Sequence, residues 1–431
     1  MTRLLYTLAV IALLPWALLH LLLRARKQPE YLRHWGERFG FFAGRPDGDV
    51  IWIHAVSVGE TRAAQPLVKA LRERYPDHRI VMTHMTPTGR ETSVALFGDS
   101  AERVYLPYDT PWAVARFLNH FRPSLGLVME TELWPNLVAA CRDRGMPLLL
   151  VNARLSERSA RRYARWPALT RQMLCGLAAV VAQGEDDARR LRELGAVDVA
   201  VLGNLKFDIE PPAAQIALGR EFRERVGQRP VLLCASTREG EEALILDAWL
   251  AARPNDDRAL LAIVPRHPQR FEEVAALIAG KGLRMQRRSD DKAVAEEAEV
   301  WLGDSMGELF AYYAMADVAF VGGSLLDYGC QNLIEPCAVG TPVLIGPSTF
   351  NFAEAAREAL AAGAAVQMMD ADALVRAARS LLSDVERRRA MGEAGRAFAA
   401  RHRGATERTL ALIEETRAEV RTGSMPDGSA A

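Results

Sequence analysis

The alternation of short apolar runs with helix-compatible stretches, from Asp49 onward, most limits how this chain can fold. Each run is rich in β-branched residues and bounded by turn residues, which suits parallel strands covered on both faces. Seven runs come first: Val50–Ala55, Ile80–His84, Val104–Pro107, Leu125–Glu130, Leu148–Asn152, Ala179–Gln183 and Val199–Gly203. Six follow: Val231–Ala235, Ala259–Pro265, Leu283–Arg287, Glu299–Leu302, Val318–Gly322 and Val343–Gly346. Between the sets, Asn204 to Pro212 loses the apolar rhythm and ends in two prolines, which marks a linker. At 431 residues the chain exceeds one ordinary core. The expectation is an α/β chain of two Rossmann-like domains facing a cleft, over 28–208 and 209–420. The last helical stretch, about Arg388 to Val420, falls in the second range, with charges that suit packing back across both domains. The small, polar tail 421–431 reads as disordered.

Residues 1–27 stand apart. Leu4 to Leu23 is almost wholly apolar and carries no Asp, Glu, Lys or Arg. About 20 such residues can cross a bilayer as a helix. Arg24, Arg26, Lys27, Arg33 and Arg38 follow it, and only Arg3 precedes it. That asymmetry places the bulk of the chain on the cytoplasmic side of a membrane anchor. A cleaved signal peptide fits less well, because no small-x-small site follows the run. Pro15 would kink a spanning helix, so a helix lying in the interface stays open.

The totals exclude other classes. Lys plus Arg and Asp plus Glu are each 54, so no net field favours nucleic acid. Five scattered cysteines without a CxxC pair argue for a reducing compartment. Eight histidines show neither HxxxH nor HExxH spacing, so no histidine metal centre is expected. No protein partner is evident.

The chemistry-bearing stretches lie mostly at strand ends. In Ile51 to Glu60 (IWIHAVSVGE), a strand meets a turn and then a carboxylate at a helix start. Glu60 there fits either a catalytic carboxylate or a helix cap favoured by the dipole. Pro66 falls in the early turns of the helix-compatible stretch Thr61 to Leu71. Glu130 ends a strand in Glu130 to Asn136 (ETELWPN); Thr131 or Glu132 can open a helix with Pro135 in its first turn. Lys206, in Gly203 to Asp208 (GNLKFD), suits a phosphate or developing charge, or is a solvated lysine. Pro265-Arg266-His267-Pro268 follows a strand, and arginine suits phosphate by its planar fork of donors. Ser305 and Glu308, in Gly303 to Leu309, match a capping box, so a helix is expected there. Gly322 to Pro336 (GGSLLDYGCQNLIEP) combines glycine turns with a helix carrying Asn332 and Glu335. Asp370-Ala371-Asp372 looks like a DxD metal motif, but an N-cap with an acidic first turn explains it. The basic run Arg154 to Arg171, with Trp166, suits either a surface facing acidic lipid or a solvated helix face.

Taken together, these stretches resemble the Kdo (3-deoxy-D-manno-octulosonic acid) transferases of lipopolysaccharide synthesis. The matching pieces are HAVSVGE at 54–60, ETELWPN at 130–136, GNLKFD at 203–208, PRHP at 265–268, GGSL at 322–325, NLIEP at 332–336, and Gly346-Pro347 with Asn351-Phe352. The resemblance implies a GT-B fold. It implies an inverting, metal-independent transfer of Kdo from CMP-Kdo to a glucosamine hydroxyl of the tetraacyl lipid A precursor, at the cytoplasmic face of the inner membrane. It implies no cofactor, and CMP-Kdo, the lipid acceptor and membrane lipid as partners. It implies Glu60 as general base, with Glu130 and Lys206 stabilising the transition state. It places CMP at Pro265, Arg266, Met306, Gly307, Glu308, Asn332, Leu333, Ile334 and Glu335. Many members have Gly-Gly-His-Asn where this chain has Gly329-Cys330-Gln331-Asn332, and Gln331 cannot titrate. Two rivals are a sugar-nucleotide epimerase, which shares the fold but has no use for a lipid-directed anchor, and a membrane-tethered binding protein without catalysis.

Overall fold

The computed structural model describes residues 2–26, 28–44, 48–208, 210–252 and 258–422. It divides into two compact units, Met1–Asp208 with Arg403–Ala431, and Ile209–His402. Most of the tail expected to be disordered, from residue 423 on, lies outside the described residues.

The first unit is built on seven strands: β1 (Val50–His54), β2 (Arg79–His84), β3 (Glu102–Tyr105), β4 (Pro123–Met129), β5 (Leu148–Ala153), β6 (Ala179–Ala182) and β7 (Val199–Val201). Their order across the sheet is β3-β2-β1-β4-β5-β6-β7, and every pairing is parallel. The strand sequence explains the layering. Side chains alternate across a strand, so Val50 and Trp52 enter one core layer while Ile51 and Ile53 enter the other. All four are fully buried, each worth about 1.5–3 kcal/mol of transfer free energy for a side chain of this kind.

One glycine is required by this packing. Trp52 on β1 sits opposite Gly126 on β4, and a Cβ at Gly126 would lie 2.9 Å from the indole and 2.6 Å from Leu148 Cδ1. Gly126→Ala should therefore destabilise the protein by about 1–3 kcal/mol, read from the chemical-denaturation midpoint at unchanged slope.

The second unit repeats the plan with β8 (Val231–Thr237), β9 (Leu260–Pro265), β10 (Met285–Arg287), β11 (Val300–Leu302), β12 (Val318–Val321), β13 (Val343–Ile345) and β14 (Ala365–Gln367). The order is β10-β11-β9-β8-β12-β13-β14, again all parallel. Each of the thirteen apolar runs overlaps a strand. β14 was not foreseen: it is a three-residue edge strand whose last residue is exposed, so it carries no continuous apolar signal.

The C-terminal helical stretch differs from the expectation. It is two helices, Val385–Arg401 and Ala405–Thr422, broken at Gly404 with φ +88°. The second belongs to the first unit rather than to the range 209–420. Asp208 is the reason: its carboxylate accepts from the backbone N–H groups of Gly404 and Thr406 and caps the final helix. Arg408 adds bonds to the Leu202 carbonyl.

Candidate active site

In both sheets the strand order reverses between two neighbours, β1 and β4 in the first, β8 and β12 in the second. Ligands of open α/β sheets bind beyond the carboxyl ends of the strands at such switch points. Glu60 follows β1 and Glu130 follows β4, so the sheet brings together two carboxylates that are 70 positions apart in sequence.

Glu60 sits in the short helix Val58–Ala63, capped by Ser57. Pro66 opens a separate helix, Gln65–Arg74, instead of lying in the early turns of one long helix. The Glu60 carboxylate accepts from the Val56 N–H at 2.8 Å and from the Ser57 hydroxyl at 2.9 Å. The capping expectation is thus met in geometry, and these bonds favour the charged form. Burial opposes them and wins, with Glu130 and Glu132 adding like charge, and the Glu60 pKa is pushed up to about 7. A carboxyl poised near neutrality is suited to accept a proton.

Glu130 lies in the left-handed region at φ +58°, a conformation that costs a non-glycine residue on the order of 1–3 kcal/mol and clusters at functional sites. Its Oε1 lies 3.4 Å from Lys206 Nζ, with both side chains largely buried. Lys206 is held in place by the amide side chains of Asn152, Asn204 and Gln183. Asn152, itself left-handed at φ +54°, accepts from the Leu205 N–H through Oδ1 at 3.0 Å. Asn204 Oδ1 accepts from the Lys206 N–H, and its amide donates to Gln183. Asn204 lies inside the GNLKFD stretch, whereas Asn152 and Gln183 belong to no motif, so only the fold reveals their part.

The segment after Glu130 also departs from expectation. Its helix opens at Pro135, not at Thr131 or Glu132, and Trp134 supplies no side-chain cap. The cap comes from Asp109, whose buried carboxylate accepts from the N–H groups of Asn136 and Leu137 at 2.9 and 2.8 Å. Glu130 therefore has no capping duty. Glu132 stays beside the site, its pKa raised by burial and by Glu130.

In the second unit, Pro265 ends β9 and the Arg266 N–H is bonded to the Thr237 carbonyl. Arg266 Nε donates to Gln331 Oε1 at 3.2 Å, which joins the segments after β9 and β12. Nearby His267 is driven below its usual pKa by burial and by Arg266, Arg238 and Arg270. Arg270 is held in a bidentate pair with buried Glu242, leaving Arg238 and Arg266 as the arginines suited to an anionic ligand.

The other expected positions are unequal. Met306 is exposed, and Gly307 takes φ +80°, which stops a helix from starting at Ser305. The helix begins only at Leu309, without a side-chain cap, and the capping box is not formed. Ser305 and Arg288 instead engage the Glu308 carboxylate. Leu333 and Ile334 are core side chains. Asn332 Oδ1 accepts from the Ile334 N–H at 3.0 Å while its amide donates to Glu335 at 3.1 Å. Asp370 does cap its helix, accepting from the Ala373 N–H.

The glycines of the turn after β12 suit close backbone approach by a ligand, but two backbone N–H groups of this turn are held by Glu241, which is fully buried. Its carboxylate accepts from the N–H groups of Gly323 at 2.7 Å, Leu325 at 3.0 Å and Arg238 at 2.8 Å. It locks the turn to the start of the helix Glu241–Ala251. Glu241→Gln turns one acceptor into a donor facing backbone N–H. It should cost about 1–3 kcal/mol of stability and raise the donor KM more than it lowers kcat, as denaturation and steady-state kinetics on the full chain will read.

Comparison with known proteins accounts for this arrangement. The family described as 3-deoxy-D-manno-octulosonic-acid transferase (kdotransferase) matches residues 33–209, and glycosyl transferases group 1 matches residues 257–398. A 3-deoxy-D-manno-octulosonic acid transferase of Bordetella pertussis is 46% identical over 96% of this chain and 99% of its own. One from Haemophilus influenzae is 40% identical over 96% and 98%. Among solved structures, a glycosyltransferase from Rickettsia africae superposes with a TM-score of 0.59 over 86% of this chain and 99% of its own, at 14% identity. A UDP-GlcNAc 2-epimerase from Neisseria meningitidis gives 0.57 over 85% and 100%, at 16% identity. At such identities the structural likeness is of fold alone, and that fold is the GT-B type expected. The epimerase rival shares the fold, but the sequence relatives decide between them: the chain belongs to the 3-deoxy-D-manno-octulosonic acid transferase family.

Proposed function

We propose that this Kdo transferase takes Kdo from CMP-Kdo and places it on a glucosamine hydroxyl of the tetraacyl lipid A precursor, with inversion and without a metal, at the cytoplasmic face of the inner membrane. The observation that carries the reading is Glu60, a buried carboxyl held near pH 7 beside Glu130 and Glu132 at the switch point of the first sheet.

Glu60 takes the proton of the acceptor hydroxyl as that oxygen bonds to the anomeric carbon of Kdo. The bond from that carbon to the CMP phosphate breaks, and CMP leaves with the electron pair. Base assistance of this kind is worth about 10²- to 10⁴-fold. Lys206, paired with Glu130, supplies positive charge that stabilises the transition state. Arg266, oriented by Gln331, meets the departing phosphate. The helices opening at Leu309 and Ile334 are only seven and six residues long, so side-chain charge is assigned the larger share. Gln331 serves here by accepting from Arg266 Nε, a role that requires no titration.

The N-terminal helix Arg3–Ala25 is long and apolar enough to associate with a membrane. The exposed Arg158, Arg161, Arg162 and Arg165, with exposed Trp166, offer a basic surface to acidic lipid in the same unit.

The test is transfer from CMP-Kdo to the tetraacyl lipid A precursor by purified protein in detergent with chelator, the products read by mass. A mass gain of one or more Kdo units supports donor, acceptor and metal independence together. Transfer only after a divalent metal is restored overturns the metal-free reading. CMP binding without transfer to any lipid A precursor overturns the acceptor assignment and favours the binding-protein rival.

A further inference from the structure

The helix Arg3–Ala25 is anchored to the first unit near its N-terminal end as well as by the chain that leaves it. The Tyr6 hydroxyl lies close enough to the Asp109 carboxylate to interact with it. The Thr7 hydroxyl reaches Asn136 Oδ1 at 2.9 Å. These are the groups that build the start of the helix Pro135–Arg142. At the other end Leu21 and Ala25 are buried, and the turn Pro29–Leu32 folds back beside the helix.

Between the two ends the exposure is one-sided. Thr7, Val10, Leu14, Leu18, Leu21 and Ala25 recur at helical spacing and are half-buried or buried. Leu8, Leu13, Trp16 and Leu19 on the other side are 54–63% exposed. Twenty-three residues make a helix about 35 Å long, enough to cross a hydrocarbon core of about 30 Å. A lone crossing would carry the Tyr6 end to the far side, away from Asp109 and Asn136. A crossing and these contacts exclude each other.

We infer that the N-terminal helix does not cross the bilayer but lies along one leaflet, its Leu8, Leu13, Trp16 and Leu19 face in the acyl region and its other face on the first unit. This rests on the membrane reading above. Exposed Arg24 and Arg26 at the end of the helix are placed to meet lipid phosphates. The docked end adjoins the segment that begins at Glu130, so the plane of the leaflet is tied to the candidate catalytic residues.

A single cysteine in a short hydrophilic extension before Met1 tests this in the full-length protein. Cys175, exposed on the first unit, is the built-in reference for the side on which that unit sits. In sealed vesicles where an impermeant maleimide reaches Cys175, the N-terminal cysteine should react as fast as it does in detergent. Protection of the N-terminal cysteine while Cys175 reacts overturns the interfacial placement. Failure to sediment with vesicles overturns the membrane reading as well, so the two failures are distinct. A second arm uses phospholipids brominated on their chains, which should quench the fluorescence component that Trp16→Phe removes. An unquenched Trp16 covered by a second copy of the chain overturns the proposal.

Discussion

Glu60→Gln lowers the rate of Kdo transfer by about 10²- to 10⁴-fold while leaving donor binding near normal, because Glu60 and the donor-side candidates lie in different units. Two pH signatures separate this from a merely structural loss. The base works deprotonated and its pKa is about 7, so wild-type kcat/KM should rise about tenfold per pH unit below that value and level off above it. Stability should move the other way. The folded-state pKa is raised from 4.5 to about 7, so the contribution of this group is fully present below pH 4.5 and is lost as pH rises through 7. The shift corresponds to about 3 kcal/mol. Denaturation of both proteins across that window should show the variant gaining by about this amount relative to wild type. A flat difference with pH, or near-normal transfer, rejects Glu60 as the base.

Lys206→Ala should lower kcat by about 10²- to 10³-fold with a smaller change in KM. The physical ground is its 3.4 Å approach to Glu130 in a largely buried pair, where a positive charge is worth more than in water. Glu130→Ala should reproduce much of that loss, and the double variant should be little worse than either single one, because groups acting as a unit are not additive. Independent, additive losses would show that the pair is structural. Lys206→Arg keeps the charge and should recover part of the rate. A rate unmoved by any of the three removes the pair from the mechanism.

How much of this was legible beforehand follows from what each residue depends on. Buried parallel strands announce themselves through unbroken apolar runs, so both sheets were readable, while β14 was too short and too exposed to register. Glu60, Glu130 and Lys206 were legible as motif residues at strand ends, and the fold explains why they meet: the strands before the two glutamates are sheet neighbours. The supports were not legible. Asp109 caps a helix 27 positions later, Asn152 holds the Lys206 turn from 53 positions earlier, and Glu241 grips a turn 82 positions on. Contacts between residues so far apart leave no trace in local spacing. Where local rules failed, a nearby backbone feature took precedence: Gly307 over the Ser305 capping box, and Gly404 over one continuous C-terminal helix.

The first unit is discontinuous, leaving off at Asp208 and resuming at Arg403. On the ribosome this imposes a schedule. The N-terminal helix emerges before either unit can close and can meet lipid while synthesis continues. The second unit is contiguous and all its residues are made before the first unit resumes at Arg403, and domains generally fold as units during synthesis. The first unit must wait, because the helix that Asp208 caps is made after the second unit. A nascent chain that stopped at residue 402 would hold the N-terminal helix and the whole second unit, with its first unit unable to close.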